Sequence, residues 1–264
     1  MRRRESNLID EIEQGALASR RPLADTLRKC VLLGGRARSA ELRGWASREL
    51  SGYGKDHELP DWRIVAAPIH VDGMNLRFQY RGVQISPWQL PDFAQDVVKE
   101  QVKMGWGVGE LEAMLGKDDE GVVKLGLPGG ADLIAYMNHA NDNPYESVER
   151  IYWAVSTTAI RGVLDRIRTA LTELVAELRH GMPDDAVLPP PDLVTQAIQV
   201  AVGGKNNRVV VTAAHSEGAA LVGNVQEQEP ESPGWSRGAK IGAAVVGLAG
   251  IIAAVFAVVQ YLAT

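Results

Sequence analysis

Histidine, cysteine, serine and the carboxylates carry most protein chemistry, and in this chain they are scattered rather than gathered. His57, His70, His139, His180 and His215 have no second histidine or cysteine three or four residues on, and Cys30 is the sole cysteine. No pair of strong metal ligands therefore shares a helix face, and no metal centre is expected. His57 stands between Asp56 and Glu58, a triplet able to move protons, but Gly54-Lys55 before it makes the segment a solvated loop. Gly34-Gly35 and Gly203-Gly204-Lys205-Asn206 lack the ordered Gly, Lys and Ser or Thr with which a phosphate loop meets its ligand. No G-x-S-x-G elbow is present, and Ser216 beside His215 fits a hairpin turn better than a nucleophile with its base. The expectation is a protein that is not an enzyme and has no cofactor.

Periodicity indicates which elements hold these residues. Leu8, Ile9, Ile12 and Ala16 fall on one helical face with Ser6 or Asn7 as cap, and Leu23, Leu27, Cys30 and Val31 repeat the pattern after Pro22. Cys30 is thus expected to pack rather than react. A third helix is expected from Ser39 to Leu50, Ser39 capping and Leu42, Trp45 and Ala46 inward. Trp62–Val71 and Leu76–Ile85 are rich in aromatic and β-branched residues, with Asp72-Gly73 and Arg81-Gly82 read as turns of a two- or three-stranded meander. Pro91 should start a helix bearing Phe93, Val97, Val98 and Val102, and after Gly105–Gly109 a short helix should cover Leu111–Leu115. Trp45, Trp62, Trp88, Trp106 and Trp153 are expected in the core or at a domain interface.

Asn143-Pro144-Tyr145-Glu146 reads as a helix start, with a long helix to Gly181. Ile160, Leu164, Ile167, Leu171, Leu174 and Leu178 form an a/d stripe, which suits a coiled coil between protomers or, preferably, packing within the chain's own domain. Leu164 and Leu171 are the oligomerisation candidates on that stripe. Ile198–Val202, Arg208–Ala213 and Ala219–Val222 read as three strands, and Val209 and Val211 as further assembly candidates. The fold class is α+β: a mainly helical domain with a small antiparallel meander (1–181), a Pro-rich linker (182–192), a small β module (193–225), a tether (226–240) and one transmembrane helix (241–262).

That last segment, IGAAVVGLAGIIAAVFAVVQYL, has no charge in twenty-two residues. At about 1.5 Å per residue it reaches about 33 Å, enough for a hydrocarbon core of about 30 Å. Trp235 and Tyr261 suit the two interfaces, and Arg237 with Lys240 on the N-terminal flank would keep the body cytoplasmic at the inner membrane. Met1-Arg2-Arg3-Arg4 leads into acidic residues rather than an apolar run, so no signal peptide is expected. A single thiol agrees with a reducing compartment. Ala243, Gly247, Gly250 and Ala254 offer small-residue spacings through which helices pack closely in lipid, or which arise by chance in so Ala- and Gly-rich a run. The lipid bilayer and a second copy of the chain are the expected partners.

A net charge of -5 argues against nucleic acid as a partner of the whole chain. Residues 1–50 carry eleven basic against seven acidic side chains, but the two signs interleave as on a solvated helix face.

Several short runs fall in a recognisable order: Leu8-Ile9-Asp10-Glu11-Ile12, Pro22-Leu23 with Leu27-Arg28-Lys29-Cys30, Glu41-Leu42 with Trp45, Glu49-Leu50-Ser51-Gly52-Tyr53, and Leu59-Pro60-Asp61-Trp62-Arg63. Through them the chain resembles the AbiTii domain of bacterial abortive-infection, anti-phage proteins, over about residues 6 to 180, more weakly through Leu90-Pro91 and Val163–Arg168. The resemblance implies a role in prokaryotic defence and transfers no catalytic residue. Joined to the anchor it leads to the expectation of an effector that oligomerises and disturbs the inner membrane, triggered by a partner defence protein or a phage component. The alternative is a non-lethal tethered sensor or scaffold that binds a phage component or a nucleotide signal.

Overall fold

A computed structural model describes residues 7–203 apart from 19–20, 117–120, 142, 184–185 and 187. Helix α1 (Leu8–Leu17) starts at Asn7, whose side chain accepts from the Ile9 amide at 3.3 Å. Helix α2 (Leu23–Arg36) follows Pro22, which has no capping side chain. Its first amide, Leu23 N–H, donates instead to Glu112 Oε1 at 2.9 Å, a cap brought from elsewhere in the chain. Helix α3 (Ala40–Ser51) is capped by Ser39 as expected, the Leu42 amide donating to Ser39 Oγ at 3.3 Å. The Leu23–Leu27–Cys30 face is buried, and burial pushes the Cys30 thiol up to about 12, so this cysteine packs as an apolar residue.

After a single 3-10 turn at Asp61–Arg63, strands β1 (Ile64–Ala66), β2 (Ile69–Met74) and β3 (Gln79–Ile85) follow. Asp72-Gly73 and Arg81-Gly82 do not turn the chain. They sit inside β2 and β3 where the register shifts, and the reversal is made at Asn75–Phe78, with Asn75 Oδ1 accepting from the amides of Arg77 and Phe78 at 2.9 and 3.0 Å. Pro91 starts only the four-residue helix α4 (Asp92–Gln95), and Val102 lies in strand β4 (Gln101–Lys103), which pairs antiparallel with β1. Helix α5 (Val108–Leu115) then covers the expected Leu111–Leu115.

Two further strands were not legible in the sequence: β5 (Val122–Gly126) and, after helix α6 (Gly130–His139), β6 (Ser147–Ser156). Asn143–Glu146 forms a turn and not a helix start. Its Asn143 Oδ1 accepts from the Tyr145 amide at 3.1 Å, and the alternating Ile151, Trp153 and Val155 that follow share one face of a strand. The four-stranded sheet has the order β3-β2-β6-β5, all antiparallel, with β2 and β6 at its centre.

Ser156 caps helix α7 (Thr157–Gly181), which ends at the expected glycine. The stripe from Ile160 to Leu178 is buried in the chain's own core against α1, α5 and helix α8 (Pro191–Gly203), and Leu164 and Leu171 are among these core residues. Each such side chain removed from water contributes about 2 kcal/mol. Arg168 on α7 donates to the carbonyls of Ala18 and Arg21 at 3.0 and 3.1 Å, closing the end of α1.

Helix α8 corrects the strand expected at Ile198–Val202. Pro191 suits a first helical turn, and the buried Val194, Ala197, Ile198 and Ala201 recur at the helical period, not at the strand period of two. The strands expected at 208–213 and 219–222, with Val209 and Val211, lie outside the described residues. So does the span 241–262 with Ala243, Gly247, Gly250, Ala254, Trp235, Arg237, Lys240 and Tyr261. Among the described residues no helix is long and apolar enough to cross a membrane.

Candidate functional site

The residues Glu49–Tyr53 and Asp61–Arg63 meet in the interior. Glu49 and Arg63 are both wholly buried and form an ion pair through Arg63 Nη2 and Glu49 Oε2. Arg63 Nη1 also donates to the carbonyls of Met104 and Trp106, at 2.6 and 2.9 Å, while the Tyr53 hydroxyl donates to Glu49 Oε1 at 2.5 Å. The guanidinium lies 4.9 Å from the Tyr53 ring and 5.3 Å from that of Trp62, within cation–π range. Burial first, and then the charge of Glu49, hold the Tyr53 phenol above its ordinary value.

Gly52 has φ +89°, and a Cβ there would stand 2.7 Å from the Gly105 carbonyl oxygen; a Cβ on Gly107 would collide with that of Leu50. The Tyr53 amide donates to Gly105 O at 2.8 Å. The Glu49–Tyr53 and Asp61–Arg63 runs thus clamp Gly105-Trp106-Gly107 in place. Wholly buried and with both carboxylate oxygens engaged, this pair positions backbone.

A second polar group occupies one face of the four-stranded sheet. Asp72 on β2 is buried, and its Oδ1 accepts from the Gly82 amide at 2.7 Å and the Tyr152 hydroxyl at 2.9 Å. Lys124 on β5 places its ammonium 4.0 Å from Asp72 Oδ2 and 5.1 Å from the centre of the Tyr152 ring. The His70 ring lies 5.9 Å from that of Tyr152, its cross-strand partner. Burial keeps the His70 imidazole below its ordinary 6.5; the Asp72 charge opposes this and Lys124 adds to it. The same period of two that sends Ile69, Val71, Ile151 and Trp153 to the apolar face collects these four on the other.

Between the two-stranded and four-stranded sheets lies a groove of about 460 Å³, lined by Val97, Lys99, Gln101, Val102, Lys103 and Trp106 on one side and Leu125, Gly126, Pro128 and Trp153 on the other. Its two tryptophans are half-buried. Trp153 Nε1 donates to the Lys99 carbonyl at 2.8 Å, and Trp106 belongs to the segment clamped by Arg63. Lys99 and Lys103 stand exposed at its edge. This is a site able to receive a small molecule: concave, mostly apolar, with few charges.

The remaining sequence candidates are dispersed. His57 sits in an exposed turn, its Nδ1 accepting from the Gly54 amide at 3.2 Å. Of the five tryptophans expected inside, Trp45 is buried and Trp62, Trp106 and Trp153 are half-buried, but Trp88 is 81% exposed. Sequence reasoning saw neither the groove nor the Asp72 group, because both are assembled from strands far apart in the chain. The available signal was the alternation in Ser147–Ser156, which the Asn-Pro start pattern masked.

An antiparallel α+β body with its defining runs folded into one buried clamp is the class of protein that the structure describes. The AbiTii family profile matches residues 7–200, so the chain belongs to the AbiTii family and, with it, to abortive-infection defence. The match extends through most of α8, beyond the 180 at which the resemblance was expected to end, in keeping with α8 packing on α7 and α3. Comparison with curated proteins and with solved structures finds no match.

Proposed function

We propose that this AbiTii protein is a membrane-anchored effector of abortive infection whose assembly perturbs the bacterial inner membrane. The observation that carries the reading is the charge-free run 241–262 with Arg237 and Lys240 on its N-terminal flank, appended to a body of the defence family. Self-association draws the anchors together through Ala243, Gly247, Gly250 and Ala254, with Val209 and Val211 assisting. Gathered helices then breach the bilayer, and growth stops before phage matures.

The test is the full chain bearing Gly247→Leu and Gly250→Leu, followed by membrane depolarisation in infected cells. Loss of depolarisation with unchanged protein level supports the mechanism; depolarisation equal to that of the parent rejects it. A tethered, non-lethal sensor is the second reading, and the groove beside Trp106 and Trp153 favours it. Expression with and without phage separates them: dye entry and toxicity mark the effector, protection without permeability the sensor.

A further inference from the structure

We infer that the groove between the two sheets binds a mononucleotide, its base against Trp106 and Trp153 and its phosphate at Lys99 and Lys103. The volume of about 460 Å³ lies within the range of small-molecule pockets, about 300–1,000 Å³. Two indoles supply flat apolar faces on which a nucleobase stacks. Leu125 pairs with Trp153 across β5 and β6, so its side chain shares the indole's face of the sheet and helps to wall the groove.

The charges fit one phosphate. Lys99 reaches Asp96 at 3.9 Å and the Gln95 carbonyl at 3.5 Å, both long contacts that an anion displaces easily. The Lys103 ammonium makes no hydrogen bond or ion pair among the described residues, although its carbonyl accepts from the Gly105 amide at 2.9 Å. Asp96 and Glu100 on the same stretch restrict the positive field to the two ammonium groups, which suits a single phosphate and disfavours a triphosphate.

The site is also ordered in advance. The Trp153 indole is fixed by the Lys99 carbonyl, and the backbone that carries Trp106 is fixed through Arg63, Gly52 and Gly107, so much of the ordering cost of binding is met during folding. The buried clamp thereby acquires a use beyond stability, since it sets one wall of a binding groove. This inference stands apart from the anchor and does not depend on it.

The test is calorimetric titration of the full chain in detergent micelles with AMP, adenosine, inorganic phosphate and ATP. AMP should saturate the protein, with adenosine and phosphate each weaker by about tenfold or more, the loss that about 1.4 kcal/mol per missing group would give. Lys103→Glu, at an exposed strand position, should weaken AMP about tenfold with the melting temperature unchanged. Leu125→Trp, which enlarges the side chain beside Trp153 and fills the groove, should abolish binding. Absence of saturable AMP binding at millimolar concentration, phosphate or ATP binding as well as AMP, or unchanged AMP affinity in both variants overturns the inference. None of those outcomes bears on membrane depolarisation, which tests the anchor separately.

Discussion

Glu49–Arg63 and Asp72–Lys124 use the same ingredients, a carboxylate, a cation and a tyrosine hydroxyl, in opposite settings. The first group is wholly buried, and its guanidinium reaches two backbone carbonyls as well as its partner. In the second the carboxylate is buried, but the Lys124 side chain is 38% exposed and its ammonium stands at 4.0 Å. Dielectric surroundings separate their roles: a closed pair is costly to break and fixes geometry, whereas a pair open on one side remains free to respond to solvent and protons.

The largest effect should come from breaking the closed pair from one side. Arg63→Met leaves Glu49 buried and uncompensated and should cost about 3–5 kcal/mol in urea unfolding. The double change Glu49→Leu with Arg63→Met should recover much of that loss. Equal damage in single and double variants would mean that the guanidinium acts through the Met104 and Trp106 carbonyls and not through its charge partner. Next, Gly52→Ala forces a Cβ into a left-handed conformation against Gly105 O and should cost about 1–3 kcal/mol.

On the open side the expected effects are smaller. Tyr152→Phe removes one hydrogen bond to Asp72 and should cost about 1 kcal/mol, well below the Arg63 variant. A comparable loss in both would abolish the distinction between the two regions. The smallest and most diagnostic effect is the pH response of His70. Its folded-state pKa is lowered chiefly by burial, so the unfolded chain binds the proton more readily; the contribution to stability is present above about 6.5 and is lost as pH falls through the folded value. An NMR titration should place the His70 ring below 6.5, and His70→Gln should flatten that part of the stability profile.

The contrast also explains what the sequence disclosed. The three opening helices, their Asn7 and Ser39 caps and the core stripe of α7 were all legible, because each signal lies within a few residues. The central strand β6 was not, since Asn143-Pro144 imitates a helix start and the pairing that decides the matter, with β2, lies some eighty residues away. The clamp was half legible: its runs stood out through family likeness, yet nothing local shows that Glu49 and Arg63 meet. The groove, built from β4, β5, β6 and a glycine loop, left no local trace at all.

The reach of Arg168 over the end of α1 has a consequence for synthesis on the ribosome. The carbonyls of Ala18 and Arg21 emerge about 150 residues before the side chain that caps them, and β2 likewise precedes its central neighbour β6. The N-terminal half must therefore leave the ribosome with a frayed helix end and with β2 paired to β3 but bare along its other edge, open to chaperones until α7 has been translated. A ribosome stalled before residue 168 would release a chain whose first helix is never closed.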